Sequence, residues 1–134
     1  MTLSSGRGNL VRALIEGIAA QVTALTDLVA ADLGSPLTRL RVDGGLTRSA
    51  SLMQAQADLA QIPVDVYPSM HATALGAAAC ARLALEPGTA PCDAVGTWYP
   101  QHTYEPRWSA DRAAEFLDRW RRVADDTVAQ EVSA

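Results

Sequence analysis

The segment RLRVDGGLTRSASLMQAQADL, Arg39 to Leu59, sets an Asp, two glycines and a polar cluster where a strand pattern gives way to a helical one. Glycine accepts positive φ and has no Cβ, so a flat base or a phosphate can lie against the backbone at Gly44 and Gly45. The helix that follows would begin with unpaired N–H groups and a partial positive charge. Asp43, at the carboxyl end of the strand, stands where open α/β sheets bind ligands. The same residues also make an ordinary strand-to-helix turn, and the spacing is neither G-x-G-x-x-G nor a Walker A loop. In either reading Asp43 is expected to hold the turn by accepting backbone N–H bonds. Thr47, Ser49 and Ser51 can each bond a ribose or a phosphate, and one of them is expected to cap the helix. Arg48 can fork onto a phosphate or stand solvated on the surface.

Other reactive side chains give weaker patterns. His71 and His102 read as exposed loop residues rather than catalytic bases. Cys80 and Cys92 have no metal-ligand spacing and read as free thiols, Cys80 as a small apolar residue in an Ala-rich helix. Unpaired thiols suit a reducing, cytoplasmic compartment. No carboxylate pair has a distinctive spacing, and Trp98, Tyr99, Tyr104, Trp108 and Trp120 read as packing residues. The net charge of −4 argues against a nucleic-acid partner. It leaves a nucleotide open, because backbone N–H groups bind one without net positive charge.

The elements that position these residues follow from periodicity. Leu10, Leu14, Ile18, Val22, Leu25, Val29 and Leu33 recur at helical spacing, predicting a helix from Asn9 to Leu33 that stops at Gly34 with Pro36 beyond. At ~1.5 Å per residue it is nearly 40 Å long and needs a larger surface than short strands supply. Residues 37–43 read as a strand, 49–61 as a helix, and 62–67 as a second strand with Pro63 at its start. That order predicts parallel strands joined by a right-handed crossover. A helix over 71–85 is expected to be capped by Thr73 and to pack closely through Ala74, Gly76, Ala77, Ala78 and Ala81. Residues 86–108 read as an irregular connection. A last helix starts at Ser109, with Asp111 in its first turn and a stripe of Ala113, Phe116, Leu117, Trp120 and Val123. The domain is expected over residues 1–126, with 127–134 as a frayed tail. Two strands are few for four helices, which suggests the end of a larger α/β domain. TLSSGRG after Met1 has no apolar run of a signal peptide, and no segment is expected to reach the ~20 apolar residues of a membrane helix.

The segment LRVDGGLTRSASLMQAQADLAQIPVDVYPSMHATALGAAACARLAL resembles the C-terminal domain of the FGGY carbohydrate kinases, and among them the glycerol kinases. RVDGG with LMQAQADL resembles the family's adenine-proximal turn and helix, and IPV with TALGAA the next strand and helix. TLSSGRGNLVRALIEGIAAQV resembles its second signature, with Asn9, Ala13 and Glu16 at characteristic positions. YEPRWSADRAAEFLDRWRRV resembles the closing helix of glycerol kinases.

The resemblance implies the actin-like ATPase fold, two ribonuclease-H-like domains closing on a cleft. This chain would be a partial ribonuclease-H-like α/β domain, its long helices packed on a short, mainly parallel sheet. The resemblance also implies ATP bound mainly to this domain, Mg2+ bridging the phosphates, and in-line transfer of the γ-phosphoryl to a sugar or polyol hydroxyl activated by an Asp. It sets Gly45 against the adenine with Gly44 beside it. It sets Ser49 where glycerol kinases carry a nucleotide-contacting Asn, with a donor and acceptor of shorter reach. His71 stands where these kinases often carry Glu. None of Asp27, Asp32, Asp43 or Asp58 occupies the place of the catalytic Asp.

The expected nucleotide-binding residues are therefore Gly44, Gly45 and Ser49, with no catalytic or metal-ligating residue in the chain. The expected partners are a nucleotide and an N-terminal kinase domain, or a separate chain supplying it, with no nucleic acid and no membrane; homo-oligomerisation is open. Three alternatives stand: a piece of an active split kinase; a catalytically silent fragment serving as a binding or interaction module; or a chain whose first helix lacks its supporting sheet and self-associates.

Overall fold

The computed structural model describes residues 6–132. In chain order they form α1 (Arg7–Leu33), β1 (Leu40–Val42), a 3-10 turn (Gly45–Arg48), α2 (Ala50–Ala60), β2 (Val64–Val66), α3 (Ala72–Leu85), α4 (Pro91–Val95), β3 (His102–Tyr104) and α5 (Ala110–Val132). Residues 1–5 and 133–134, which include the first residues of the signal-peptide reading and the end of the tail, lie outside the described residues.

Helix α1 stops where the sequence predicts. Gly34 turns left-handed at φ 64, its N–H bonds Ala31 O at 3.1 Å and the Ser35 N–H bonds Ala30 O at 3.2 Å. These bonds satisfy carbonyls that a helix end leaves open. Ala19, Ala20 and Thr23 are buried, and α1 packs chiefly on α2. The other side is bare: Leu10, Leu14, Leu25 and Leu28 are 51–66% exposed. A helix apolar on two sides usually has both of them covered. By length and composition alone α1 could also cross a bilayer, which corrects the expectation that no segment reaches that size. In this fold its small-residue face is committed to α2.

The sheet has three strands in the order β1-β2-β3. Strands β1 and β2 are parallel, as predicted, with Leu40 opposite Val64 and Val42 opposite Val66. Strand β3 was not predicted. It pairs antiparallel with β2, Tyr104 opposite Val64 and His102 opposite Val66. Its three residues, His-Thr-Tyr, are too few to show alternation, and the short α4 is likewise hidden in the Pro- and Gly-rich connection. The first strand is shorter than predicted. Its partner begins after Pro63, which has no N–H to give, so the ladder starts with the Leu40 N–H on Pro63 O at 2.9 Å.

Helix α2 is the hub of the core. Leu52, Met53, Ala57 and Leu59 are buried against Ala19 and Ala20 of α1, Val64 and Val66 of β2 and Leu117 of α5. Helix α5 begins as predicted, with Ser109 Oγ accepting from the Arg112 N–H at 3.4 Å and Asp111 in its first turn. It continues to Val132, past the expected boundary at 126. Its stripe ends at Trp120, and Val123 is exposed.

Helix α3 departs from expectation. Its N-cap is His71, without a side-chain cap, so Thr73 lies inside the helix. Ser69 Oγ accepts the His71 N–H at 3.1 Å instead. Only Ala79 is buried, so Ala74, Gly76, Ala77, Ala78 and Ala81 pack on little. Three strands of three residues offer too narrow a face to cover it, and α3 rests on α4. Cys80 is exposed there rather than apolar filling, and both cysteines are free.

Candidate functional site: the glycine turn

The turn after β1 is shaped by its first glycine. Gly44 has φ 96 and ψ −179, a region open essentially to glycine alone. Gly45 opens the 3-10 turn, which is closed by the Thr47 N–H on Gly44 O at 3.2 Å and by Thr47 Oγ1 donating to the same oxygen at 2.7 Å. The Ser49 N–H bonds Leu46 O at 3.0 Å, and α2 follows at once. Ser49 Oγ accepts the Leu52 N–H at 3.3 Å, so Ser49 is the cap among the three hydroxyls named from the sequence. Its own proton remains available to donate.

This turn stands at the carboxyl ends of β1 and β2, where open α/β sheets place ligands. The Tyr67 N–H on Val42 O at 2.9 Å ties the loop after β2 beside it. Between them lies a cleft of about 510 Å3, bounded by Thr47 and Arg48 on one side and by Tyr67, Met70, His102 and Tyr104 on the other. The His102 and Tyr104 rings meet edge to face at 4.4 Å. A Cβ added at Gly44 or Gly45 would meet no atom within 4 Å, so the room beside the turn is open.

Gly44, Gly45 and Ser49 share this one turn, although none of the three is among the residues that bound the 510 Å3 cleft, and Asp43 does not serve as expected. It is exposed and makes no hydrogen bond among the described residues; Thr47 holds the turn. The N–H groups of Thr47 and Ser49 are already used by the 3-10 hydrogen bonds. His71 is exposed at the start of α3. Ser51 lines a different and larger cleft, about 780 Å3, between the first turns of α1, α2 and the β3–α5 connection. Its carboxylates are already engaged. Asp58 Oδ1 accepts from the Arg107 N–H at 2.6 Å, the Trp108 N–H at 3.3 Å and Gln54 Nε2 at 3.0 Å. Arg12 Nε donates to Glu16 Oε1 at 2.8 Å.

Sequence reading missed Tyr67, Met70 and His102 as neighbours of the turn. The strand-end rule was applied only to the first strand, and His102 needed β3, which had no signal. Beneath the site, Asp65 fastens the sheet. Arg39 Nη1 donates to both its oxygens at 2.7 and 2.8 Å, and Thr103 Oγ1 donates to Oδ1 at 2.6 Å. Burial pushes the Asp65 carboxyl up, but the Thr103 hydroxyl, the Arg39 guanidinium and the charge of Arg41 outweigh it and hold the carboxyl below 3.8.

Among the described residues no group of three His, Cys, Asp or Glu side chains could hold a metal ion. The donor set of the turn is bare backbone, a hydroxyl and a guanidinium. That suits the base and ribose of a nucleotide rather than a cation.

Residues 1–85, which contain the turn, match the C-terminal domain of the FGGY family of carbohydrate kinases. Over 125 residues, 93% of this chain and 25% of the relative, the sequence is 41% identical to a glycerol kinase of Bordetella parapertussis. Over 83 residues, 62% of this chain and 17% of the relative, it is 51% identical to a glycerol kinase of Gloeobacter violaceus. A solved structure of Plasmodium falciparum glycerol kinase with ADP superposes with a TM-score of 0.81 at 27% identity, over 95% of this chain and 26% of its own. The xylulose kinase of Rhodospirillum rubrum does so at 0.72 and 28% identity, over 97% of this chain and 26% of its own. The chain spans about a quarter of the length of the glycerol kinases that match most of it.

Proposed function

The chain belongs to the FGGY family of carbohydrate kinases, and from that premise we propose that it forms the adenosine side of the ATP site in a kinase acting on a polyol such as glycerol. The observation that carries this reading is the turn: Gly44 at φ 96 and open room beside Gly45, at the carboxyl end of parallel strands, inside the segment that matches the family. Gly44 bends the chain so that Gly45 presents bare backbone to a purine. Ser49, its oxygen accepting from the Leu52 N–H, keeps a proton to donate to the ribose or base. The start of α2 adds a partial positive charge.

ATP would supply the γ-phosphoryl group and Mg2+ would neutralise its phosphate charge, the described residues contributing no group of metal ligands. The task of this chain's residues is to hold the nucleoside end still, which makes the transfer effectively unimolecular. The base that takes the hydroxyl proton and the groups that hold the polyol come from the remaining length that the relatives carry. Unpaired Cys80 and Cys92 agree with a cytoplasmic site of action, where ATP is plentiful.

Calorimetric titration with ADP tests the turn directly. Gly45→Val is expected to abolish binding without lowering the melting temperature, because its side chain has room in the empty protein. Equal binding by the wild type and Gly45→Val overturns the reading. A coupled assay with glycerol tests the rest: turnover is expected only when an N-terminal kinase portion is added, and turnover by the chain alone contradicts it.

A further inference from the structure

We propose that Arg48 is the residue that grips the base, its guanidinium stacked over the face of the purine that lies against Gly45. This rests on the nucleotide reading above and deepens it. In a 3-10 turn three residues complete one revolution, so the side chains of the first and fourth residues eclipse. The turn here runs from Gly45 to Arg48. Arg48 therefore rises on the side where Gly45 has no side chain, and a Cβ there would meet nothing within 4 Å. With a purine bound, the bare backbone of Gly45 would be the floor of a slot and the planar cation, turned in from Met70, its wall.

Nothing else claims that cation. Arg48 is exposed, and among the described residues its side chain meets only Met70, Nη2 to Sδ at 3.6 Å. A guanidinium is weakly hydrated and stacks on aromatic faces, and a thioether also favours ring contact. Met70 is itself exposed at the edge of the same cleft. A phosphate is the weaker candidate for this position. Two of the donors that would gather one are already used: the Leu52 N–H by Ser49 Oγ and the Thr47 N–H by Gly44 O.

The test uses adenosine and inorganic tripolyphosphate as separate probes, by calorimetry, on the wild type, Arg48→Ala and Arg48→Lys. Arg48→Ala is expected to weaken adenosine and ATP alike, by about tenfold, and to leave tripolyphosphate unchanged. Arg48→Lys keeps the charge but loses the plane, and should restore little. In the wild type the Arg48 Nε–H resonance should move upfield as adenosine is added, from the ring current of the base. Unchanged adenosine affinity in Arg48→Ala, with binding still lost in Gly45→Val, overturns the stacking role and leaves the nucleotide site standing. A loss confined to tripolyphosphate makes Arg48 a phosphate ligand and also overturns it. A wild-type chain that binds neither adenosine nor ATP overturns both readings.

Discussion

Asp65 is gripped by Arg39 through two hydrogen bonds, at 2.7 and 2.8 Å, although 26 positions separate them. Successive strand residues face opposite sides, so Asp65 turns away from Val64 and Val66 and meets Arg39 before β1 and Thr103 in β3. One buried carboxylate thus joins all three strands. Its side chain is 6% exposed, while that of Arg39 is 43% exposed, so removing the carboxylate leaves Arg39 free to hydrate. Asp65→Asn is expected to cost about 2 kcal/mol, read as a lower urea midpoint at pH 7. A carboxyl held below 3.8 gives stability that is fully present above that value and is lost as pH falls through the lowered one. Wild-type midpoints should fall when pH drops below about 4, and Asp65→Asn should lose less over that range. Parallel curves would contradict the assignment.

Asp58 performs the same service for the connection into α5. Its Oδ1 takes the N–H groups of Arg107 and Trp108 and the amide of Gln54. Asp58→Ala strands two backbone donors beside a buried site, and should cost about 2–3 kcal/mol. Amide exchange at residues 107 and 108 should rise well above that of the β2 amides. Exchange that stays the same at both positions would show that the clamp is not needed.

Gln56 is a flaw in the core. It is 6% exposed, and among the described residues its Oε1 has no hydrogen-bond partner. Gln56→Met keeps the length of the side chain and removes the stranded acceptor. It should raise stability by about 1 kcal/mol, seen as a higher melting temperature. A lower one would mean that the amide has a partner in solution, such as a bound water.

The two glycines should separate cleanly. Gly44 sits at φ 96, so Gly44→Ala forces a side chain into a strained backbone and should cost about 1–3 kcal/mol. Gly45 carries no such strain, and Gly45→Ala should melt within about 0.5 kcal/mol of the wild type. Equal losses from both substitutions would contradict the geometry of the turn.

The bare side of α1 makes a prediction about assembly. Leu14 and Leu25 are 66% and 61% exposed on a helix already packed through its other face. The purified chain should self-associate as concentration rises, by sedimentation equilibrium, and Leu14→Glu with Leu25→Glu should reduce this. A monodisperse wild-type monomer at all concentrations would contradict it.

The sequence alone determined what depends on neighbours along the chain. Apolar spacing and the Gly34 stop placed α1, the Asp-Gly-Gly break located the turn between β1 and α2, and Ser49 was among the residues able to cap what followed. The order of motifs also pointed to the family, because every piece lay in local sequence. The tertiary structure decided what depends on contacts between distant residues. Strand β3 exists because β2 has an edge for His102–Tyr104, and no local pattern in three residues could announce it. Thr47 rather than Asp43 closes the turn, because the 3-10 geometry uses the N–H groups before a carboxylate can. The spacing of three between Gly45 and Arg48 was likewise in the sequence, but only the 3-10 turn that the chain adopts there, not an α-helix, brings the two positions into eclipse.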